Sequence, residues 1–163
     1  IHSPEGKGRL VRRAVLVNIV VDCLGVCKVP ALSLLKTFDL ESEARLASAI
    51  TGYCFTAEGL METGEKIAAM ERLFNLLHGP EDFNDRLPPM FLKGDNRLLS
   101  EENLRMMLGD FFEAMGWDKE GRPTPETLTV MGLSPAEPPA SADDAHSYIE
   151  FTTTNAIGKD DRI

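Results

Sequence analysis

The stretch "GRLVRRAVLVNIVV", residues 8 to 21, decides the fold. Its second half is rich in β-branched residues and can be read as a buried strand. The run is long and has no partner strand near it in sequence, which favours a helix. On a helical wheel its apolar residues point nearly all round, the pattern of an element packed on several sides. The expected fold class is therefore all-α, an irregular multi-helix domain with long loops.

Downstream, "VDCLGVCKVP" at residues 21 to 30 closes this helix with one carboxylate, one glycine and two of the chain's three cysteines. Pro30 suits a first helical position, and "ALSLLKTF" adds a turn or two. "DLESEARLASAI" reads as a helix with Asp39 as N-cap, carboxylates in its first turn and Gly52 as its stop. The clearest element covers residues 57 to 78, opened by Thr56. There Leu60, Gly64, Ile67, Met70, Phe74 and Leu77 recur at spacings of three and four, which predicts a core-facing stripe.

Gly79 and Pro80 end that helix. Residues 80 to 99 read as an irregular connection holding "RLPPMF", packed through Leu87, Phe91 and Leu92. Ser100 caps the next helix, whose Leu104, Met107, Leu108, Phe111, Phe112 and Met115 run to Gly116. A turn at Asp118 to Gly121 leads to a short helix with Thr124 as cap, Pro125 at its first position and Gly132 as terminator. The sequence divides into a helical part, residues 1 to 133, and a tail, 134 to 163, of low complexity with a strand-like "YIEFTTTNAI" that finds no place.

The formal charge of −9 excludes a nucleic-acid binder, since the basic residues are scattered among carboxylates and Arg12 and Arg13 make a pair, not a patch. Asn18 and Asp22 interrupt the longest apolar run before it could span a bilayer, so no membrane association is expected. Three cysteines do not make a secreted disulfide framework, and with no signal-peptide pattern the expected setting is reducing and cytoplasmic. The chain starts at Ile1 rather than Met, which suggests a piece of something longer.

Cys27 is the leading candidate for chemistry, because a thiolate in a loop opened by a glycine is accessible to a metal or cluster. The competing reading is a buried structural cysteine, the commoner fate of a lone thiol. Cys23 lies four residues away, a spacing that suits one metal only if the segment is helical, and no His or further Cys completes a tetrahedral site. Asp22 is either a turn residue or a carboxylate aimed at the amide or amine donors of a ligand. His2, His78 and His146 are isolated, and His78 suits the negative end of a helix. Acidic runs such as Glu41 to Glu43 read as solvated helix faces. No catalytic triad, phosphate loop or paired-carboxylate site is present.

Four segments in order, "VVDCLGVCKV", "ITGYCFTAEGLMETGEKIAAMERLFNLLHG", "DRLPPMF" and "LRMMLGDFFEAMGWDKEGRPTPETLTVMGL", resemble the C-terminal end of the aldehyde:ferredoxin oxidoreductase family over roughly residues 5 to 133. The resemblance implies the C-terminal part of a larger enzyme that holds tungsten, or molybdenum, on a bis-pterin cofactor beside a 4Fe-4S cluster. In that family the pattern Asp-x-x-Gly-Leu-Cys lies at the metal centre; its Cys is the fourth cluster ligand and its Asp contacts the pterin. Carried over, Cys27 is the metal ligand, and Asp22 with the backbone around Gly25 and Val26 meets the pterin. Val26 replaces the usual Leu, and Cys23 is not a ligand.

The implied activity is oxidation of aldehydes to carboxylic acids, with a ferredoxin-like carrier as electron acceptor. The other three cluster cysteines and the acid/base residues lie upstream in the family and have no counterpart here. The chain alone is therefore expected to be inactive, to hold no cofactor stably, and to depend on the upstream domains of the same enzyme. It is also expected to self-associate through uncovered helix faces. Two alternatives remain: a family member acting on another substrate, such as the cofactor subunit of an acyl-CoA ring reductase, and a non-catalytic helical interaction domain with Cys27 buried.

Overall fold

The computed structural model describes residues 3–28, 40–79, 85–91 and 100–133. These form five α-helices, α1 (Lys7–Cys23), α2 (Glu41–Thr51), α3 (Ala57–His78), α4 (Glu101–Met115) and α5 (Pro125–Val130), and one 3-10 turn at Pro89–Phe91. Among the described residues there is no strand, only an isolated antiparallel bridge between Trp117 and Pro123. The all-α expectation holds, and the ambiguous run 8 to 21 is helical throughout.

Helix α1 is the centre of the assembly, packed on α4 and on α3, while α2 meets α3. Leu16, Val17, Val20 and Val21 of α1 are all buried. β-branched residues cost a helix only a few tenths of a kcal/mol each, whereas burying a Val or Leu side chain gains roughly 1.5–3 kcal/mol. Packing therefore decides the conformation of this stretch. Val17, Val20 and Val21 pack with Leu40, Ala44 and Leu60, flanked by Leu24, Val26, Phe55 and Met61. Leu16 joins Ala68 and Met115 beside Phe111 and Trp117. A third cluster, Ala69, Leu128 and Leu133, seats α5 on α3.

Two glycines let the helices approach closely. A Cβ on Gly8 would lie 2.4 Å from the backbone nitrogen of Phe111, so α1 and α4 touch backbone to backbone there. A Cβ on Gly64 would lie 3.2 Å from the carbonyl oxygen of Leu16, which brings α3 onto α1. The N-terminus of α1 has no side-chain cap from its own Gly6. The carboxylate of Asp110, on α4, instead accepts the Arg9 backbone N–H at 3.1 Å and pairs with the Arg9 guanidinium at 3.3 Å. A donor left open by the start of one helix is thus satisfied by another helix. Arg12 of α1 and Glu65 of α3 form a part-buried ion pair, and burial pushes the Arg12 guanidinium's pKa down from its ordinary value.

Three of the four N-caps read from sequence are found. Thr56, Ser100 and Thr124 accept the backbone N–H groups of Gly59, Asn103 and Thr127 at 3.0, 3.1 and 3.2 Å. At α2 the N-cap position is Leu40, at φ 62°, with its side chain buried in the core; Asp39 lies outside the described residues. Glu43 is buried in the first turn of α2 rather than solvated, at the helix end where a carboxylate is favoured. The stripe on α3 is only half core. Leu60 and Gly64 are buried, but Phe74 is 55% exposed, and the deepest residues beyond Gly64 are Ala68 and Ala69. Periodicity finds the face of a helix but not how far along it the partners extend.

In the connection, Phe91 donates its N–H to the Pro88 carbonyl at 3.0 Å, so the two prolines admit one 3-10 turn. Leu87 is half-buried, Phe91 is exposed, and Leu92 lies outside the described residues. Arg72 holds this piece to the body. Its guanidinium lies 5.7 Å from the ring centres of both Phe112 and Trp117, donates to the Gly121 carbonyl at 2.7 Å, and grips Asp85 at 2.8 and 3.3 Å.

Candidate functional site

Helix α1 ends in a hydrogen-bonded reversal that sets the Cys27 loop. Leu24 N–H still reaches the Val20 carbonyl at 2.9 Å, Gly25 N–H turns back to Asp22 O at 3.0 Å, and Val26 N–H reaches Val21 O at 3.1 Å. This is the Schellman closure, with Gly25 at φ 67° in the left-handed region and Val26 folded onto the core beside Val21. Nothing lies within 4 Å of where a Gly25 Cβ would sit, so the glycine is required by backbone angle and not by crowding within this chain. The same closure recurs at Gly116 and Gly132, where Trp117 N–H bonds Phe112 O at 2.8 Å and Leu133 N–H bonds Leu128 O at 2.8 Å.

Of the candidate site residues, Val26 is half-buried, and Asp22, Gly25 and Cys27 are exposed. Cys27 follows the closure and is a free thiol on the surface, which overturns the reading of it as a buried structural cysteine. Cys23 is the last residue of α1 and Cys27 lies beyond the Gly25 reversal, so helical spacing does not join the two thiols. Cys54 is likewise free and exposed. The N–H groups of Gly25 and Val26 are engaged at the helix end.

One functional candidate escaped the sequence reading. Lys28 Nζ lies 2.7 Å from Asp22 Oδ2, an exposed ion pair across the loop. The available signal was a cation six residues after a helix-terminal carboxylate with a glycine between them, close in space only because the chain reverses. The contact is made through Oδ2 of the Asp22 carboxylate.

Among the described residues no group of three or more His, Cys, Asp and Glu side chains could hold a metal. The loop presents one exposed thiol, Cys27, and one exposed carboxylate, Asp22. The ring of His78 packs against that of Phe74, tilted by 44° with centres 4.7 Å apart, at the end of α3. His2 and His146 lie outside the described residues. An open cleft of about 740 Å³ between α3, the end of α4 and α5 is lined by Glu62, Lys66, Gly116, Thr127 and their neighbours, and by no residue of the Cys27 loop. No described helix is long and apolar enough to cross a membrane.

The family profile for "Aldehyde ferredoxin oxidoreductase, domains 2 & 3" matches residues 1–133. The tungsten-containing aldehyde ferredoxin oxidoreductase of Pyrococcus furiosus is 32% identical over 123 residues, 71% of this chain and 19% of the relative. Those of Pyrococcus horikoshii and Thermococcus kodakarensis are 31% and 30% identical, over 70% and 72% of this chain and 19% and 20% of their own lengths. The chain therefore spans about a fifth of the curated relatives it matches. No solved structure matches it. With most of its length covered, this chain belongs to the aldehyde ferredoxin oxidoreductase family.

Proposed function

We propose that this chain is the cofactor-supporting C-terminal part of a tungsten-dependent oxidoreductase that converts aldehydes to carboxylic acids and passes the electrons to a ferredoxin-like carrier. The observation that carries the proposal is an exposed thiol, Cys27, just past the helix-end closure, and an exposed carboxylate, Asp22, in the last turn before it. Its relatives, tungsten-containing aldehyde ferredoxin oxidoreductases, support the activity and the metal.

In this reading Cys27 ligates iron in a 4Fe-4S cluster, and Asp22 Oδ1 accepts hydrogen bonds from ring amines of the pterin. When bound, the tungstopterin supplies the two-electron oxidation of the aldehyde and the cluster carries electrons away singly. This chain's own part is positional. The Gly25 closure fixes the direction in which the chain leaves α1, and the buried valines behind it hold that helix end still. Because the Gly25 and Val26 N–H groups are already engaged, the backbone there offers carbonyl oxygens, which suit the donor-rich edge of a pterin. In this reading the remaining ligands of the centre come from other domains of the same enzyme, and the chain by itself is expected to be inactive.

The test is anaerobic expression of the full-length parent with Cys27 or with Cys27→Ala, measuring iron and tungsten per chain and the EPR spectrum of the reduced cluster. Loss or conversion of the cluster in the variant is the expected result. Unchanged iron content and spectrum would remove Cys27 from the cluster.

A further inference from the structure

We propose that Lys28 is a positioning residue of this site: it closes the Cys27 loop onto Asp22 and supplies a basic side chain from the residue that follows the cluster ligand. The inference rests on the reading above that Cys27 ligates the cluster, and it goes beyond that reading by giving a role to a residue outside the Asp-x-x-Gly-x-Cys pattern.

The geometry begins at the end of α1. Asp22 lies in the last helical turn, where the open carbonyls already make the potential negative, and no basic residue of the helix compensates it there. Lys28 supplies the missing cation from the far side of the loop, with Nζ 2.7 Å from Oδ2. The Schellman hydrogen bonds control the backbone only as far as Val26. Cys27 lies past them, between the closure and the Lys28 contact. The Asp22–Lys28 pair is therefore the described contact that ties the segment beyond Val26 back to α1, and Cys27 sits inside the tie.

An ion pair this exposed adds little to folding stability. Its effect belongs to the site. It occupies one carboxylate oxygen and so orients the other, and it holds the basic side chain of the residue next in sequence to the cluster ligand at the helix end. A cluster that gains an electron becomes more negative, so a nearby fixed cation favours the reduced form and raises the midpoint potential. Arginine keeps both the charge and the ability to grip Asp22, whereas methionine keeps only the length of the side chain.

The experiment uses the full-length parent, prepared anaerobically as wild type, Lys28→Met, Lys28→Arg and Cys27→Ala, with iron per chain and an EPR-monitored redox titration of the cluster. Lys28→Met is expected to shift the midpoint to more negative potential or to lower iron content, and Lys28→Arg to restore the wild-type behaviour. An unchanged midpoint in Lys28→Met at full iron overturns the role of Lys28 and leaves Cys27 as ligand. Equal disturbance by Met and Arg also overturns it, since charge and grip are then irrelevant. A native cluster in Cys27→Ala would instead sink the ligand assignment, and the role of Lys28 with it.

Discussion

Gly25 shows what one residue does here. At φ 67° a side chain costs roughly 1–2 kcal/mol for backbone reasons alone, and the space around its Cβ position is open. Gly25→Ala is expected to lower stability by about that amount, and Gly25→Asn to recover part of it, because Asn tolerates the left-handed region better. Urea unfolding of the two variants checks this; equal stability of Ala and Asn would point to a steric cause instead. Asp118 offers a second residue-scale test. Burial alone pushes its carboxyl up, but hydrogen bonds from the Arg122 and Glu120 backbone N–H groups and from the Arg122 guanidinium together hold it below the ordinary value. A depressed carboxyl contributes stability above its unfolded pKa and loses it as pH falls through the folded one. Asp118→Asn is therefore expected to be less stable than wild type near neutral pH, with the difference closing in acid. A gap that persists at low pH would assign the effect to geometry rather than charge.

At the scale of elements, glycines of one kind play opposite parts. Gly8 lies where α1 crosses α4, and a methyl there meets backbone that has nowhere to yield. Gly109, on the exposed side of α4, has nothing within 4 Å of its Cβ position. Gly8→Ala is expected to cost about 1–3 kcal/mol by overpacking, while Gly109→Ala stabilises the helix by about 0.5–1 kcal/mol. Thermal melts of the two variants should move in opposite directions, and a shared direction would refute the crossing as drawn. Helix starts at Thr56, Ser100 and Thr124 were legible because a cap is a local bond between neighbours in sequence. The cap that Asp110 gives to α1 was not, because its partner Arg9 is 101 residues away.

For the whole molecule the telling feature is what stays uncovered. Val130 is 88% exposed, Ile50 75%, Met90 72% and Leu10 62%, on five different segments when Phe74 is included. A chain spanning about a fifth of its relatives presents apolar surface on several sides. In isolation it is expected to self-associate, seen as a sedimentation coefficient that rises with concentration. A single monomeric boundary at high concentration would contradict this.

The sequence alone located the helices from residue 57 onward, with their caps at Thr56, Ser100 and Thr124 and their glycine ends, since each depends on contacts within a few residues, and it carried the family through the order of its segments. It also singled out Asp22, Gly25, Val26 and Cys27 as one loop. Only the tertiary structure decided that the helix over 8 to 21 lies at the centre, that the α3 stripe is buried only as far as its partners reach, and that Glu43 is buried. It alone brought Lys28 onto Asp22 and left Cys27 exposed. Those outcomes depend on which surfaces meet after the chain has reversed direction, and packing between distant segments settles them against local preference.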